Sequence, residues 1–384
     1  MRGALAQLIE RIIRIDEVKG LSPLCSTSVI ILSKNMKTIL TGIRINSEIT
    51  LGNFLGAMLP MVRLANKYSK THHVNVFIPD LHSIISSVDG NLKENTLREI
   101  KYYLAAGLEV NQNVHIYRQS YIPAHSELCW ILDCQTPMGD AMRMTQYKEK
   151  SQNNNTSTNV GIFNYPILMA ADILLYDATY IPVGEDQFQH LELTRNIAER
   201  FNHKYGETFV VPENTATQIK FMETLNNTFS NQDKTIASGL RIRDLQNPER
   251  KMSKSADADN SKIMMSDPPK LAAKKIMSAT TDSFAKIQFD MFNQPGISNL
   301  LQIEALINNE PLQTTISTWA GVTRYGDFKQ KVAGSVSHFL EDFQSKAQNI
   351  SNETIYGLFE QGEVYANTLA SQKLLQVQKV IGLR

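Results

Sequence analysis

Short apolar runs alternate with helix-period patterns from residue 36 to about 205, and this alternation predicts an α/β unit on a largely parallel sheet. Thr38 to Ile43 reads as a first strand, Val74 to Ile78 as a second, Val114 to Tyr117 as a third and Tyr180 to Val183 as a further one. Between the first two, Leu51, Leu55, Met58, Leu59, Val62 and Ala65 share one helical face, and Pro60 is expected to kink or break that helix. Residues 93–107 read as a helix. Leu191, Thr194, Ile197, Ala198 and Phe201 give the inward face of another. A polar stretch over 151–159 reads as a loop and 226–239 as a surface insertion. From about 257 onward there is no strand pattern and the chain reads as helices. The division expected is an N-terminal extension over 1–35, an α/β domain over 36–256 and a helical region over 257–384.

Composition narrows the class without deciding it. At 384 residues there is room for two domains, and 42% hydrophobic with 20% charged residues is ordinary for a globular protein. A net charge of +1 gives no global pull toward nucleic acid, so an RNA surface has to be a local patch; Arg241, Arg243, Arg250, Lys262, Lys270, Lys274 and Lys275 suit one, as they equally suit a solvated face. Cys25, Cys129 and Cys134 make neither a paired framework nor a Cys-x-x-Cys set. That fits a reducing compartment and argues against structural zinc or an iron–sulfur cluster. Cys129 and Cys134, near Trp130, read as core packing. No apolar run reaches membrane-spanning length, so no membrane partner is expected, and none is expected among DNA either. Residues 1–35 mix Arg2, Arg11 and Arg14 with Glu10, Asp16 and Glu17. A cytoplasmic location is therefore expected, with the mitochondrial matrix as the alternative if this stretch is a transit peptide; Met36 is a second candidate start.

The candidate chemistry lies in four segments. Lys251-Met252-Ser253-Lys254-Ser255 places two ammonium groups and two hydroxyls where they can clamp a polyphosphate, although a Lys/Ser-rich stretch also suits a solvated loop. Thr50-Leu51-Gly52-Asn53 follows the first strand and opens a helix, so free N–H groups and the positive helix end can face an anion; an ordinary helix cap has the same composition. Gly184-Glu185-Asp186-Gln187 stands at a strand-to-helix turn, the edge where open parallel sheets hold ligands. Asp186 there suits ribose hydroxyls or a helix cap. Finally, Asp172 is one carboxylate in the apolar run from Gly161 to Tyr176, with Tyr165 and Met169 on its helical face. Such a carboxylate needs partners: an indole N–H in an aromatic, sulfur-lined pocket, or a core group.

These segments, with Asp80-Leu81-His82, Arg143-Met144-Thr145-Gln146, His190-Leu191-Glu192-Leu193-Thr194-Arg195, Met265-Ser266-Asp267-Pro268-Pro269 and Thr281-Asp282-Ser283, resemble the bacterial-type tryptophanyl-tRNA synthetases from about residue 38 to the C-terminus. The resemblance implies a class I synthetase with a Rossmann-type nucleotide-binding parallel sheet, a C-terminal all-helical anticodon-binding region and a homodimeric state. It implies L-tryptophan, ATP with Mg²⁺, and tRNA(Trp) as substrates, cofactor and partner. On the family's pattern, Thr50 and Asn53 (the HIGH-type motif) and Lys251, Ser253, Lys254 and Ser255 fall on catalytic positions. Arg44, Ile45, Asn46, Gly52, Asn53, Gly184, Glu185, Asp186, Ile242 and 251–255 fall on ATP positions. Asp172, Tyr165, Met169, Gln187 and His82 fall on the tryptophan pocket. Arg44-Ile45-Asn46-Ser47 departs from the family's usual Gln-Pro-Thr/Ser-Gly, replacing turn-forming residues by a fixed cation. The reaction implied is attack of the tryptophan carboxylate on the ATP α-phosphate, then transfer to the tRNA terminus, with positioning and charge neutralisation carrying catalysis. A tyrosyl-tRNA synthetase, a catalytically silent paralogue that senses tryptophan or RNA, and a small-molecule nucleotidyltransferase are the competing readings.

Overall fold

A computed structural model of the chain describes residues 36–43, 45, 48–85, 91–145, 159–226, 241–256 and 258–384. Residues 37–384 form one compact unit. Strands β1 (Lys37–Gly42), β2 (His72–Ile78), β3 (Val114–Arg118) and β4 (Ala178–Tyr180) make one parallel sheet in the order β3-β2-β1-β4. The middle of β1 (residues 39–41) and all of β2 after His72 are buried because helices cover the sheet, which is why they do not read as alternating strands. β4 ends earlier than its sequence suggests. The apolar residues Ile181 and Val183 flank Pro182, which has no N–H for a ladder, and they carry the chain out of the sheet toward Gly184.

The helices, in chain order, are α1 (Leu51–Asn53), α2 (Leu59–Tyr68), α3 (Asp80–Ser83), α4 (Leu92–Ala105), α5 (Ala124–Asp133), α6 (Met138–Met142), α7 (Val160–Leu174), α8 (Phe188–Tyr205), α9 (Thr215–Asn226), α10 (Pro269–Met277), α11 (Pro295–Ile307), α12 (Leu312–Thr318), α13 (Tyr325–Asn349) and α14 (Asn352–Val380). A π-helical turn, Phe54–Met58, joins α1 to α2 and puts Pro60 in the first turn of α2, where a missing N–H costs little. The face of Leu51, Leu55, Met58, Val62 and Ala65 is buried, as is that of Leu191, Thr194, Ile197, Ala198 and Phe201 on α8. The segment Ala178–Gly184 and β1 diverge from the switch in strand order between β1 and β4, and the carboxyl ends of all the strands open on that side.

Helix α14 lies against β3, the far edge of the sheet. A Cβ on Gly362 would fall 1.9 Å from the Ile116 carbonyl oxygen, so only glycine permits this approach. Arg118 at the end of β3 is clamped to Glu363 by two hydrogen bonds (2.6 and 3.1 Å) and stacks on Tyr121. Cys134 and Trp130 are not core residues: Trp130 is 69% exposed, because α5 turns His125, Leu128, Ile131 and Leu132 inward. Among the described residues no helix is long and apolar enough to cross a membrane.

Candidate active site

Two groups of residues lie at the carboxyl edge of the sheet. The first is built on the start of α1. Thr50 is fully buried, and its Oγ1 accepts from the Asn53 N–H (3.1 Å), so its hydroxyl caps the helix. Backbone bonds lace this start to the segment after the lysine loop: Leu51 N–H to Ile263 O (2.7 Å) and Met265 N–H to Ile49 O (3.0 Å). Gly52 faces the lysine loop directly. A Cβ there would come within 3.1 Å of Met252 Cβ and 3.4 Å of Ile242 Cβ. Gly52, Ile242 and Met252 therefore form one close-packed contact in which Met252, fully buried, anchors the loop. Ile45 is half-buried on the core, while Arg44 and Asn46 lie outside the described residues.

The lysine loop rises from that anchor. Arg243 and Lys251 form an isolated antiparallel bridge, and Met252 N–H donates to Ile242 O (3.0 Å). Lys251, Ser253, Lys254 and Ser255 are exposed, and the two serine hydroxyls are 2.9 Å apart. Lys262 fastens the loop from behind: its Nζ donates to the carbonyls of Lys254 (2.6 Å) and Ala256 (2.7 Å). Lys275 is only 1% exposed and paired with Asp267 (2.8 Å), so the expected basic patch loses both Lys275 and Lys262 as free cations. Burial is what the sequence of charges could not reveal there.

The second group surrounds Asp172, on α7, which is 1% exposed. Its Oδ1 accepts from Gln119 Nε2 (2.8 Å) and His125 Nδ1 (2.5 Å); its Oδ2 lies 2.9 Å from His82 Nε2 and 3.0 Å from the same Gln119 amide. Burial pushes this carboxyl up, but the charge and hydrogen bond of His125, followed by those of His82, outweigh it and hold it below the ordinary carboxylate value. Of these partners Gln119 and His125 are fully buried and His82 is 19% exposed, so the open approach to Asp172 runs past His82. Tyr165 stands edge-on to His82 (centroids 6.2 Å), and its hydroxyl is 2.8 Å from His190 Nε2. His190 Nδ1 is 2.9 Å from Gln187 Oε1, and Gln187 Nε2 donates to Asp186 (2.7 Å). One chain of contacts thus runs from Asp172 to the Gly184–Gln187 turn. Met169 is half-buried one turn before Asp172.

At that turn, a Cβ on Gly184 would fall 2.8 Å from Asp186 Oδ1; glycine leaves the carboxylate its place. Glu185 and Asp186 are exposed, and α8 starts without a side-chain cap. Asp80 braces the neighbouring strand ends by accepting from Ser120 N–H (2.8 Å) and its hydroxyl. The patterns read in the sequence do not point to Gln119 or His125, nor to Lys262 as the fastener of the loop. Gln119 had a usable signal, a polar residue directly after β3 at the ligand edge of the sheet; the other two had none.

Residues 33–341 match the model of the class I tRNA synthetases of the W and Y group. The chain is 39% identical over 349 residues to a tryptophan–tRNA ligase of Caldanaerobacter subterraneus subsp. tengcongensis, covering 91% of this chain and 99% of that one. To the same enzyme of Malacoplasma penetrans it is 40% identical over 357 residues, covering 91% and 98%. Its fold superposes on tryptophanyl-tRNA synthetase of Mycoplasma pneumoniae with a TM-score of 0.71 at 34% identity, over 91% of this chain and 98% of that one. A Campylobacter jejuni tryptophanyl-tRNA synthetase complexed with ADP and tryptophan superposes with a TM-score of 0.70 at 28% identity, over 90% and 99%. The chain belongs to the class I tRNA synthetases of the tryptophan and tyrosine group, and within them to the bacterial-type tryptophan–tRNA ligases, which activate tryptophan with ATP and transfer it to tRNA.

Proposed function

We propose that the two groups divide the first reaction between them: Asp172 selects tryptophan, and the lysine loop drives its activation. The indole N–H donates to Asp172 Oδ2 from the side on which His82 is exposed, with Tyr165, Met169 and Gln187 around the ring. The observation that carries this reading is a fully buried, deprotonated carboxylate whose innermost partners are fixed and whose outermost partner borders solvent. ATP lies across the switch between β1 and β4, its adenosine between Gly52 and the Gly184–Asp186 turn. Lys251 and Lys254, with Ser253 and Ser255, neutralise the departing pyrophosphate, and the Asn53 end of α1 faces the phosphates.

Among the described residues no cluster of three His, Cys, Asp or Glu is placed to hold a metal. Mg²⁺ prefers phosphate and water oxygens to an all-protein cage, so it fits here as an ion carried by ATP, where it would offset phosphate charge. We also propose that the chain pairs with a second copy through α5 and α6, which expose the large apolar side chains Trp130 (69%), Met138 (61%) and Met142 (48%). Trp130→Glu should then yield monomers in sedimentation.

The division is tested by tryptophan-dependent pyrophosphate–ATP exchange. Asp172→Asn is expected to raise KM for tryptophan with a smaller change in kcat, and Lys254→Ala to lower kcat with KM for tryptophan unchanged. The opposite split would overturn the assignment.

A further inference from the structure

Asp172 stands at one end of a buried relay that accepting an indole N–H does not by itself require. His125 on α5 is fully buried; its Nδ1 is 2.5 Å from Asp172 Oδ1 and its Nε2 2.9 Å from the hydroxyl of Tyr176. Tyr176, 4% exposed, follows Asp172 by one turn just past the end of α7. A carboxylate oxygen can only accept, so Nδ1 must carry a proton; a lone pair there would set two acceptors against each other. Nε2 either receives the Tyr176 proton or donates to its oxygen, and in both states the hydroxyl keeps Nδ1–H turned to Asp172. Burial raises the Tyr176 phenol well above its ordinary value, so it retains a proton to donate. Phe77 lies parallel to the imidazole (centroids 6.5 Å, 13°) and Tyr176 tilts against its ring at 5.6 Å, so the ring is wedged in one orientation.

We propose that Tyr176 and His125 are positioning residues for amino-acid selection: the hydroxyl sets the imidazole's tautomer, and the imidazole with Gln119 locks Oδ1, so that Oδ2 is the oxygen presented to substrate. The proposal rests on Asp172 being the indole acceptor, and it adds the device that aims it. A carboxylate bound only through Oδ2 would swing about its own bond and accept from substituents other than an N–H. With Oδ1 held by donors from α5 and the end of β3, rotation is blocked and the pocket has one acceptor in one place.

The test compares two substrates in pyrophosphate–ATP exchange: tryptophan, and its benzothiophene analogue, in which sulfur replaces the indole N–H. Discrimination is the ratio of their kcat/KM values. Tyr176→Phe should reduce it at least ~10-fold, the scale of one hydrogen bond to a charged group, through KM for tryptophan. The analogue's kcat/KM and KM for ATP should stay nearly constant, which a merely structural role would not allow. His125→Leu should behave like Tyr176→Phe, and His125→Asn, whose amide nitrogen sits near the Nδ1 position, should restore discrimination. Asp172→Asn run in parallel reports on the underlying reading. If Asp172→Asn abolishes discrimination while Tyr176→Phe and His125→Leu keep the wild-type ratio, the relay has no part in selection and the proposal is overturned. If Asp172→Asn itself keeps the ratio, the indole assignment fails, and the relay with it.

Discussion

The two halves of the site are built in opposite ways. Around Asp172, on α7, every partner is buried or nearly so, and the bonds come from three other elements, α3, the turn after β3 and α5. The lysine loop has one buried anchor, Met252, and presents its four polar side chains to solvent. Recognition of a neutral ring with a single N–H calls for a fixed, dehydrated acceptor, because discrimination comes from leaving the wrong substrate's partner unpaired. Neutralising a departing polyphosphate calls for charges that are hydrated until the nucleotide arrives, since buried unpaired ammonium groups would be too costly to fold. On the proposed division, selection is written into the core and charge neutralisation into the surface.

That contrast breaks most sharply by truncation. Asp172→Ala strips the acceptor from two buried donors and a half-buried one and should cost ~3–5 kcal/mol of folding stability, read as a lower urea midpoint. Lys254→Ala should leave that midpoint unchanged and slow adenylate formation ~10²–10³-fold in single-turnover kinetics. If Lys254→Ala destabilised the fold as much as Asp172→Ala, the two halves would not be built differently.

Acid should act on the sheet behind both halves, through His115 on β3, which stacks on Tyr365 of α14. Burial, with the nearby positive charge of His73 as a smaller cause, lowers His115 from an ordinary 6.5 to about 4. A histidine kept neutral by folding stabilises fully above its unfolded value and loses that contribution as pH falls from about 6.5 toward 4; the loss is up to ~3 kcal/mol. His115→Phe should flatten this part of the stability–pH curve.

The loop's fastening gives a smaller effect. Lys262→Met removes two hydrogen bonds to loop carbonyls and should slow adenylate formation ~10-fold, with tryptophan affinity unchanged. Thr50→Ala gives the smallest: loss of a helix cap, ~1 kcal/mol of stability. A rate loss at Thr50 far beyond that, with stability intact, would instead assign its hydroxyl to the phosphates.

The difference between the halves also explains what the sequence disclosed. The loop and the α1 start are local: their residues are neighbours in the chain, and Lys251–Ser255 or Thr50–Asn53 carry their chemistry in a few positions. The sheet was legible for a related reason, since the middles of β1 and β2 are buried and each strand carries a short cluster of mainly apolar, β-branched and aromatic residues, Ile39-Leu40, Val74 to Ile78 and Val114 to Tyr117. The partners of Asp172 are 47, 53 and 90 residues away, and no spacing rule links a histidine on one helix to a carboxylate on another. Cys134 and Lys275 differ from the burial their types suggest, one exposed and the other buried, because exposure depends on which way a helix is turned by its neighbours. β4 ends before Pro182, which has no N–H to give the ladder, although the apolar run continues to Val183.

The central claim, that one buried carboxylate chooses the amino acid, is tested most directly by equilibrium binding of tryptophan and of its benzothiophene analogue to the wild-type chain and to Asp172→Asn. The account predicts that the wild type binds tryptophan at least ~10-fold more tightly than the analogue and that Asp172→Asn binds the two alike. An unchanged preference in Asp172→Asn would contradict it.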